Sequence, residues 1–244
     1  MPELKAAIVQ VTPFQQNCTI LWEEPGKRAV VIDPGGEVPR IREAIGELDV
    51  RVERILLTHG HIDHAGGAAA LKEALERAAG EAGPPTNVPI APGSLATVPI
   101  AQGSPATVPI EGPDQRDRFL LEGLEAQGPT FGMSGVRNVV PDRWLAEGDE
   151  VQVGEQTFAV LHCPGHTPGH IVFVNERARF AIVGDVLFAG SVGRTDFPYG
   201  DHGALIRAIK EKLLPLGDDV AFICGHGPGS TIGAERRSNP FVRG

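Results

Sequence analysis

The chain has 244 residues, 41% of them hydrophobic and 22% charged, which is enough apolar material for a packed core and excludes wholesale disorder. Lys+Arg 22 against Asp+Glu 31 leaves a formal charge of −9, so the protein as a whole has no electrostatic footprint for nucleic acid or an anionic membrane. No apolar run reaches the roughly 18 residues of a membrane span, the N-terminus has neither the basic start nor the apolar stretch of a signal peptide, and Cys18, Cys163 and Cys224 form no CxxC pair, so a cytoplasmic, reducing setting is expected. Short strands are predicted over 6–11, 18–22 and 29–32, the last running into the turn Asp33-Pro34-Gly35-Gly36. Ile41, Ile45 and Leu48 then recur at helical spacing over 38–48, a strand follows through 54–57, and an alanine-rich helix is expected over about 65–79. Strands return at 150–153, 157–161, 171–174 and 180–183, followed by a helix over about 204–214 and a last strand at 220–224. Because strands and helices recur in both halves, the pattern predicts sheets sandwiched by helices in one α/β domain over 1–244.

Glycine and proline are abundant, with Gly 31 and Pro 21. Residues 83–113 hold 8 Pro and 4 Gly with Glu111 as their one charge, and Val-Pro-Ile recurs every ten residues at Val88, Val98 and Val108. Ten residues are too few for a solenoid unit, so a repeat fold is rejected. The segment reads as a Pro/Gly-rich insertion, either a decorative loop or a lid or partner-binding segment.

The chemistry concentrates where apolar strands end in glycine loops. The strand at 54–57 runs into Thr58-His59-Gly60-His61-Ile62-Asp63-His64, which has four candidate metal ligands within six positions. Alternate residues of an extended loop point the same way, so His59 and His61 can converge on one ion, while Asp63 and His64, where the chain turns into a helix, can reach a second. Three further strands end in the same form and offer His166, Asp185 and His226. Histidines packed this tightly beside glycines do not suit an apolar core. Cys163 and Cys224 precede ligand positions but read as small apolar filling. His162 and His202 fall outside the set, and His170 flanks the His166 loop as a candidate outer partner.

The segments THGHIDHAGG, CPGHTPGH, GDVLF, GSVGRTDFPYGD and GHGPGST resemble, in order, the motifs of the metallo-β-lactamase superfamily, and look most like its compact glyoxalase II-like hydrolases. The resemblance implies a four-layer αββα sandwich with a metal site at one edge. It implies that His59, His61 and His166 hold one metal, that Asp63, His64 and His226 hold a second, and that Asp185 bridges them. The cofactors implied are two divalent ions, zinc first, with iron or manganese accepted by the same all-nitrogen-and-oxygen donors. Glu111-Gly112-Pro113 follows the third Val-Pro-Ile as in the compact members, which makes that copy a strand and about twenty preceding residues the insertion. Asp185 stands where the lactamases commonly place a cysteine, and His64 follows Asp63 directly, which argues against antibiotic hydrolysis. Full-length glyoxalase II enzymes carry a helical domain beyond the last ligand; here 18 residues follow His226, which puts the glutathione thioester in question as substrate.

The activity implied is hydrolysis of a small-molecule thioester, with Asp63 orienting the attacking hydroxide as well as ligating. Arg194, in the loop after Asp185, is a candidate for a substrate carboxylate or, equally, half of a structural ion pair. Two rivals stand beside this reading. The GRTDF segment also resembles persulfide dioxygenases, whose single iron would use His59, His166 and Asp185. A metal-stabilised binding protein without catalysis is the other, disfavoured because no ligand position is missing.

Overall fold

The computed structural model describes residues 3–81 and 107–243. Most of the repeat segment therefore lies outside the described residues. Its third copy lies inside: Val108 is buried and Ile110 enters a strand, as expected.

The first sheet is built from β1 (Glu3–Val11), β2 (Gln16–Glu24), β3 (Arg28–Ile32), β4 (Arg51–Leu56) and β5 (Ile110–Glu111), adjacent in that order. Between them run α1 (Val38–Leu48), α2 (Ile62–Ala65) and α3 (Ala68–Glu81), with the single turns α4 (Arg118–Leu121) and α5 (Leu124–Gln127) after β5. The second sheet draws on β6 (Glu150–Val153), β7 (Gln156–His162), β8 (Ile171–Asn175) and β9 (Phe180–Gly184). The hairpin β10 (Leu187–Phe188) and β11 (Ser191–Val192), then α6 (His202–Ala208), β12 (Ala221–Cys224), β13 (Ser230–Thr231) and α7 (Ile232–Ser238) complete the chain. Its order is β13-β12-β9-β8-β7-β6.

Side-chain alternation assigns the layers. On β3, Val30 and Ile32 point between the sheets and meet Leu21, Leu56, Phe158 and Phe173, all buried. Ala29 and Val31 point the other way, onto Ile41 and Ile45 of α1 and Leu71 and Leu75 of α3. On the far sheet, Val172, Val174, Ala181 and Val183 pack against Leu205, Ile209, Leu213 and Ile232 beneath α6 and α7. Central strands covered on both faces read as continuous apolar runs, which is why β2, β3, β8 and β9 are almost wholly buried. The edge strand β1 alternates between buried and exposed positions. The result is the expected αββα sandwich.

The helix expected over 65–79 is instead two helices, α2 and α3, separated at Gly66 and Gly67. A Cβ on Gly67 would sit 2.6 Å from the Pro34 carbonyl oxygen, which accepts the Gly67 N–H at 2.9 Å. The break lets the chain touch the turn after β3, and it gives Asp63 and His64 a helical turn of their own. The helix expected near 204–214 begins at His202 and continues past Ala208 as a wider π-type turn, Ile209–Leu213.

β3 and β4 are parallel, as are β9 and β12, so their carboxyl ends open at one edge of the sandwich. β8 is antiparallel to β9, so the loop entering β8 arrives at that edge too. Two backbone bonds join the sheets there: Ile171 N–H donates to Thr58 O at 2.8 Å and Asn17 N–H to Gly225 O at 2.7 Å.

Candidate metal centre

All seven residues expected as ligands meet at this edge. His59 Nε2 lies 3.0 Å from His61 Nδ1, which lies 2.9 Å from His166 Nε2. Asp63 Oδ2 lies 3.3 Å from His226 Nε2 and 4.0 Å from His64 Nε2. Asp185 spans the two groups: Oδ1 is 3.3 Å from His64 Nε2, and Oδ2 is 3.5 Å from His166 Nε2 and 3.6 Å from His226 Nε2. Tetrahedral bonds of about 2.0–2.1 Å place neighbouring ligand atoms roughly 3.3 Å apart, so this spacing suits donors around a cation.

Two observations test the fit. His64 Nε2 and Asp185 Oδ1 are buried and 3.3 Å apart without hydrogen-bond geometry, an arrangement that costs free energy unless a third group such as a cation satisfies both. The protonation states agree. Burial, then the neighbouring His166, pushes His61 down to about 3, and burial with adjacent histidines holds His59 well below its ordinary value, so both are neutral bases with lone pairs to give. Burial alone would raise Asp185, but His64 and His166 outweigh it and keep the carboxylate ionised. His64 is the exception: burial pulls it down, yet Asp185 and Asp33 raise it well above the ordinary imidazole value.

Each of the five candidate ligand histidines is oriented through its other ring nitrogen. His59 Nδ1 meets Thr58 Oγ1 at 3.1 Å, His61 Nε2 meets the Tyr199 hydroxyl at 2.8 Å, and His64 Nδ1 meets Asp33 Oδ2 at 2.9 Å. His166 Nδ1 meets Arg194 O at 2.8 Å and His226 Nδ1 meets Phe14 O at 3.1 Å. Such partners fix tautomer and ring orientation, and they leave one defined nitrogen pointing inward. His170 serves the site in another way. Its Nε2 accepts the Asp185 N–H at 3.0 Å and its ring stacks on His59 at 4.6 Å. Gly225 is required by close approach, since a Cβ there would lie 2.0 Å from Asp185 Oδ1.

Asp33, Asp117 and Tyr199 were not legible as site residues. Asp33 sits at the end of β3, buried and in the left-handed region at φ 52, and also accepts Thr58 N–H and Oγ1–H at 2.7 Å each. A signal is present, an apolar strand running into Asp before Pro-Gly-Gly, close to but not the same as the strand-Gly-Asp form that marks Asp185. Asp117 accepts from Gly60 N, Thr167 Oγ1 and Gly169 N, tying the His59 loop to the His166 loop. Its spacing from either loop in the chain gives no cue. His162 bonds Pro168 O and His202 opens α6, both outside the ligand groups. Arg194 lines the adjoining cavity, but its Nε and one terminal nitrogen are each 2.7 Å from Asp196, and the guanidinium lies 4.5 Å over Phe197. The three cysteines are buried and free, as small filling residues would be.

A fold of two sheets between helices, with His and Asp donors gathered from four strand ends at one edge, defines a metal-dependent hydrolase class, and the chain belongs to it: the metallo-beta-lactamase superfamily matches residues 11–226. Among relatives, hydroxyacylglutathione hydrolase GloC of Haemophilus influenzae is 43% identical over 236 residues, spanning 96% of each chain. Among solved structures, BLEG-1 B3 metallo-beta-lactamase superposes with a TM-score of 0.78 at 29% identity, covering 98% of this chain and 100% of that one. TTHA1623 in a di-iron-bound form superposes at 0.75 with 33% identity, covering 97% and 100%. Divalent metal ions are implied by the family. No helix among the described residues is long and apolar enough to cross a membrane.

Proposed function

We propose that the protein is a binuclear metal-dependent thioesterase of the glyoxalase II type. The observation that carries this reading is the arrangement of two three-residue donor groups with one carboxylate, Asp185, reaching both. His59, His61 and His166 hold one cation, Asp63, His64 and His226 the other. Zinc is the expected metal, and iron or manganese fits the same donors; the di-iron form of TTHA1623 supports iron. Bound there, the cations supply an acidified water near neutral pH and a Lewis acid for the carbonyl oxygen. Asp63, at the cavity floor, is favoured as a carboxylate: burial raises it, but the bond to His226 and the charge of His64 bring it below its ordinary value. An ionised Asp63 accepts a hydrogen bond from the attacking water and orients it. Water adds to the thioester carbonyl, the C–S bond breaks, and the products are a carboxylic acid and a thiol. An alkyl thiolate with pKa near 8.5 leaves without a protein acid. The resemblance to GloC supports a glutathione-like thioester among small-molecule substrates.

The test is metal analysis of the purified protein, followed by turnover of S-lactoylglutathione, glutathione persulfide and the β-lactam nitrocefin. Thioester hydrolysis with two metals per chain is expected, with no nitrocefin cleavage. Oxygen uptake with glutathione persulfide by iron-loaded protein would overturn the hydrolase assignment. If zinc-, iron- and manganese-loaded samples all fail, the protein is a metal-stabilised binding protein. His59→Ala is expected to lower hydrolysis about a thousandfold, equivalent to about 4 kcal/mol of transition-state stabilisation, with circular dichroism unchanged.

A further inference from the structure

β8 and β9 run antiparallel, with Phe173 opposite Ile182, Val174 opposite Ala181 and Asn175 opposite Phe180. Continued by three residues, that register puts His170 opposite Asp185, the carboxylate that reaches both donor groups. The ladder does not continue in the backbone at that point. The His170 carbonyl turns instead to Cys163 N–H, 2.8 Å away, and the imidazole stands in for it: His170 Nε2 accepts Asp185 N–H at 3.0 Å.

The ring is held from two sides. It lies flat on His59, with centroids 4.6 Å apart and an interplanar angle of 18°, and it passes so close to β9 that a Cβ on Gly184 would sit 2.7 Å from its Cε1 and Nε2. An imidazolium has no acceptor, so a ring that accepts Asp185 N–H is neutral and carries its proton on Nδ1. Nδ1 is buried and has no hydrogen-bond partner among the described residues, which costs stability. An apolar side chain of similar size would fill the slot without that cost and would give up one thing only, the acceptor. What the imidazole contributes at this position is therefore Nε2.

We infer that His170 is a positioning residue for the two-metal site: its Nε2 anchors the Asp185 backbone so that the carboxylate reaches both donor groups at once. The inference rests on the binuclear reading and adds the residue on which the bridge depends. Each three-residue group is complete without Asp185, so loss of the anchor uncouples the two cations and weakens their binding without removing a donor from either group.

The test uses the full chain loaded with manganese(II), where a shared carboxylate couples the two ions and electron paramagnetic resonance reads the coupling. Two variants separate the acceptor from the ring. His170→Phe keeps an aromatic ring against His59 and has no acceptor, while His170→Gln gives up the ring and offers Oε1 in place of Nε2. The parent and His170→Gln are expected to show the coupled two-manganese signal. His170→Phe is expected to show isolated ions and to bind metal at least tenfold more weakly in a chelator competition, within the range of about 10–100-fold that an orienting partner contributes. Circular dichroism is expected to be unchanged in both. His170→Phe with a coupled signal and parental affinity overturns the inference, and so does His170→Gln behaving like His170→Phe, which assigns the role to the ring. His170→Leu takes the place of His170→Phe if the latter fails to fold; failure of both makes the residue a structural one and also overturns the inference. A parent that holds one metal overturns the binuclear reading alone. In the mononuclear arrangement of His59, His166 and Asp185, at least tenfold weaker binding in His170→Phe but not in His170→Gln still decides for the anchor, and equal binding decides against it.

Discussion

Asp33→Asn isolates the control of one ligand tautomer. The native Oδ1 accepts Thr58 N–H, while Oδ2 accepts from Thr58 Oγ1 and faces His64 Nδ1 at 2.9 Å. An aspartate there keeps the proton on Nδ1, so that when the imidazolium loses a proton to ligate, it is Nε2, aimed at Asp63 and Asp185, that is freed. Asparagine keeps the Oδ1 acceptor and tolerates φ 52, so the backbone is undisturbed. Its Nδ2 is a donor, however, and satisfying it calls on Nδ1 as acceptor, which moves the proton to Nε2 and blocks the inward nitrogen. Exchanging charge-assisted bonds for neutral ones costs about 1–2 kcal/mol of stability, while loss of an orienting partner costs about 10–100-fold in metal affinity. Alanine would be a poorer probe, because it strands three buried groups at about 1–3 kcal/mol each against a total stability of about 5–15 kcal/mol. The assay is metal content by mass spectrometry after dialysis against a chelator, together with a melting curve. The expected result is one metal per chain where two are proposed for the parent, with folding retained and hydrolysis down about 100-fold. An Asp33→Asn protein with two metals at parental affinity would refute the tautomer argument.

Metal uptake is expected to release protons. His64 is raised above its ordinary value by Asp185 and Asp33 against the pull of burial, so near neutral pH it must lose a proton to ligate. Affinity should therefore fall as pH drops, and calorimetry in buffers of different ionisation enthalpy should show the release. In the metal-free protein the same imidazolium stabilises the fold, fully below its ordinary value of about 6.5, and the contribution is lost as pH rises through the raised value; chelator-treated protein should melt higher on the acid side of that range. Gly225→Ala would put a methyl 2.0 Å from Asp185 Oδ1 and 2.6 Å from His64 Cε1, and a shift of about 1 Å at a reacting centre costs on the order of 100-fold in rate; hydrolysis and metal content should fall together. Asp117→Ala leaves the Gly60 and Gly169 amides and the Thr167 hydroxyl unpartnered, and about 3 kcal/mol or more should be lost in a denaturant titration.

The sequence by itself determined the layers and the donors. Period-two and period-3.6 apolar patterns are local, so the strands over 18–22, 29–32, 171–174 and 180–183 and the helix over 38–48 are found where expected. The candidate donors are legible because His59, His61, His166, Asp185 and His226 each stand beside glycine in a loop after an apolar strand, and Asp63 and His64 follow within the first of those loops. Tertiary structure alone decided what joins them. The split of the helix after Asp63 depends on a carbonyl at Pro34, far along the chain. The short strands β10, β11 and β13 have two residues each, too few to carry a period. Asp33, Asp117 and Tyr199 reach their histidines and loops across 31, 57 and 138 positions, and no spacing rule spans such gaps. Candidate donors follow from residue type, which the chain states outright. The orientation of those side chains arises only when parallel strands bring separate carboxyl ends to one edge.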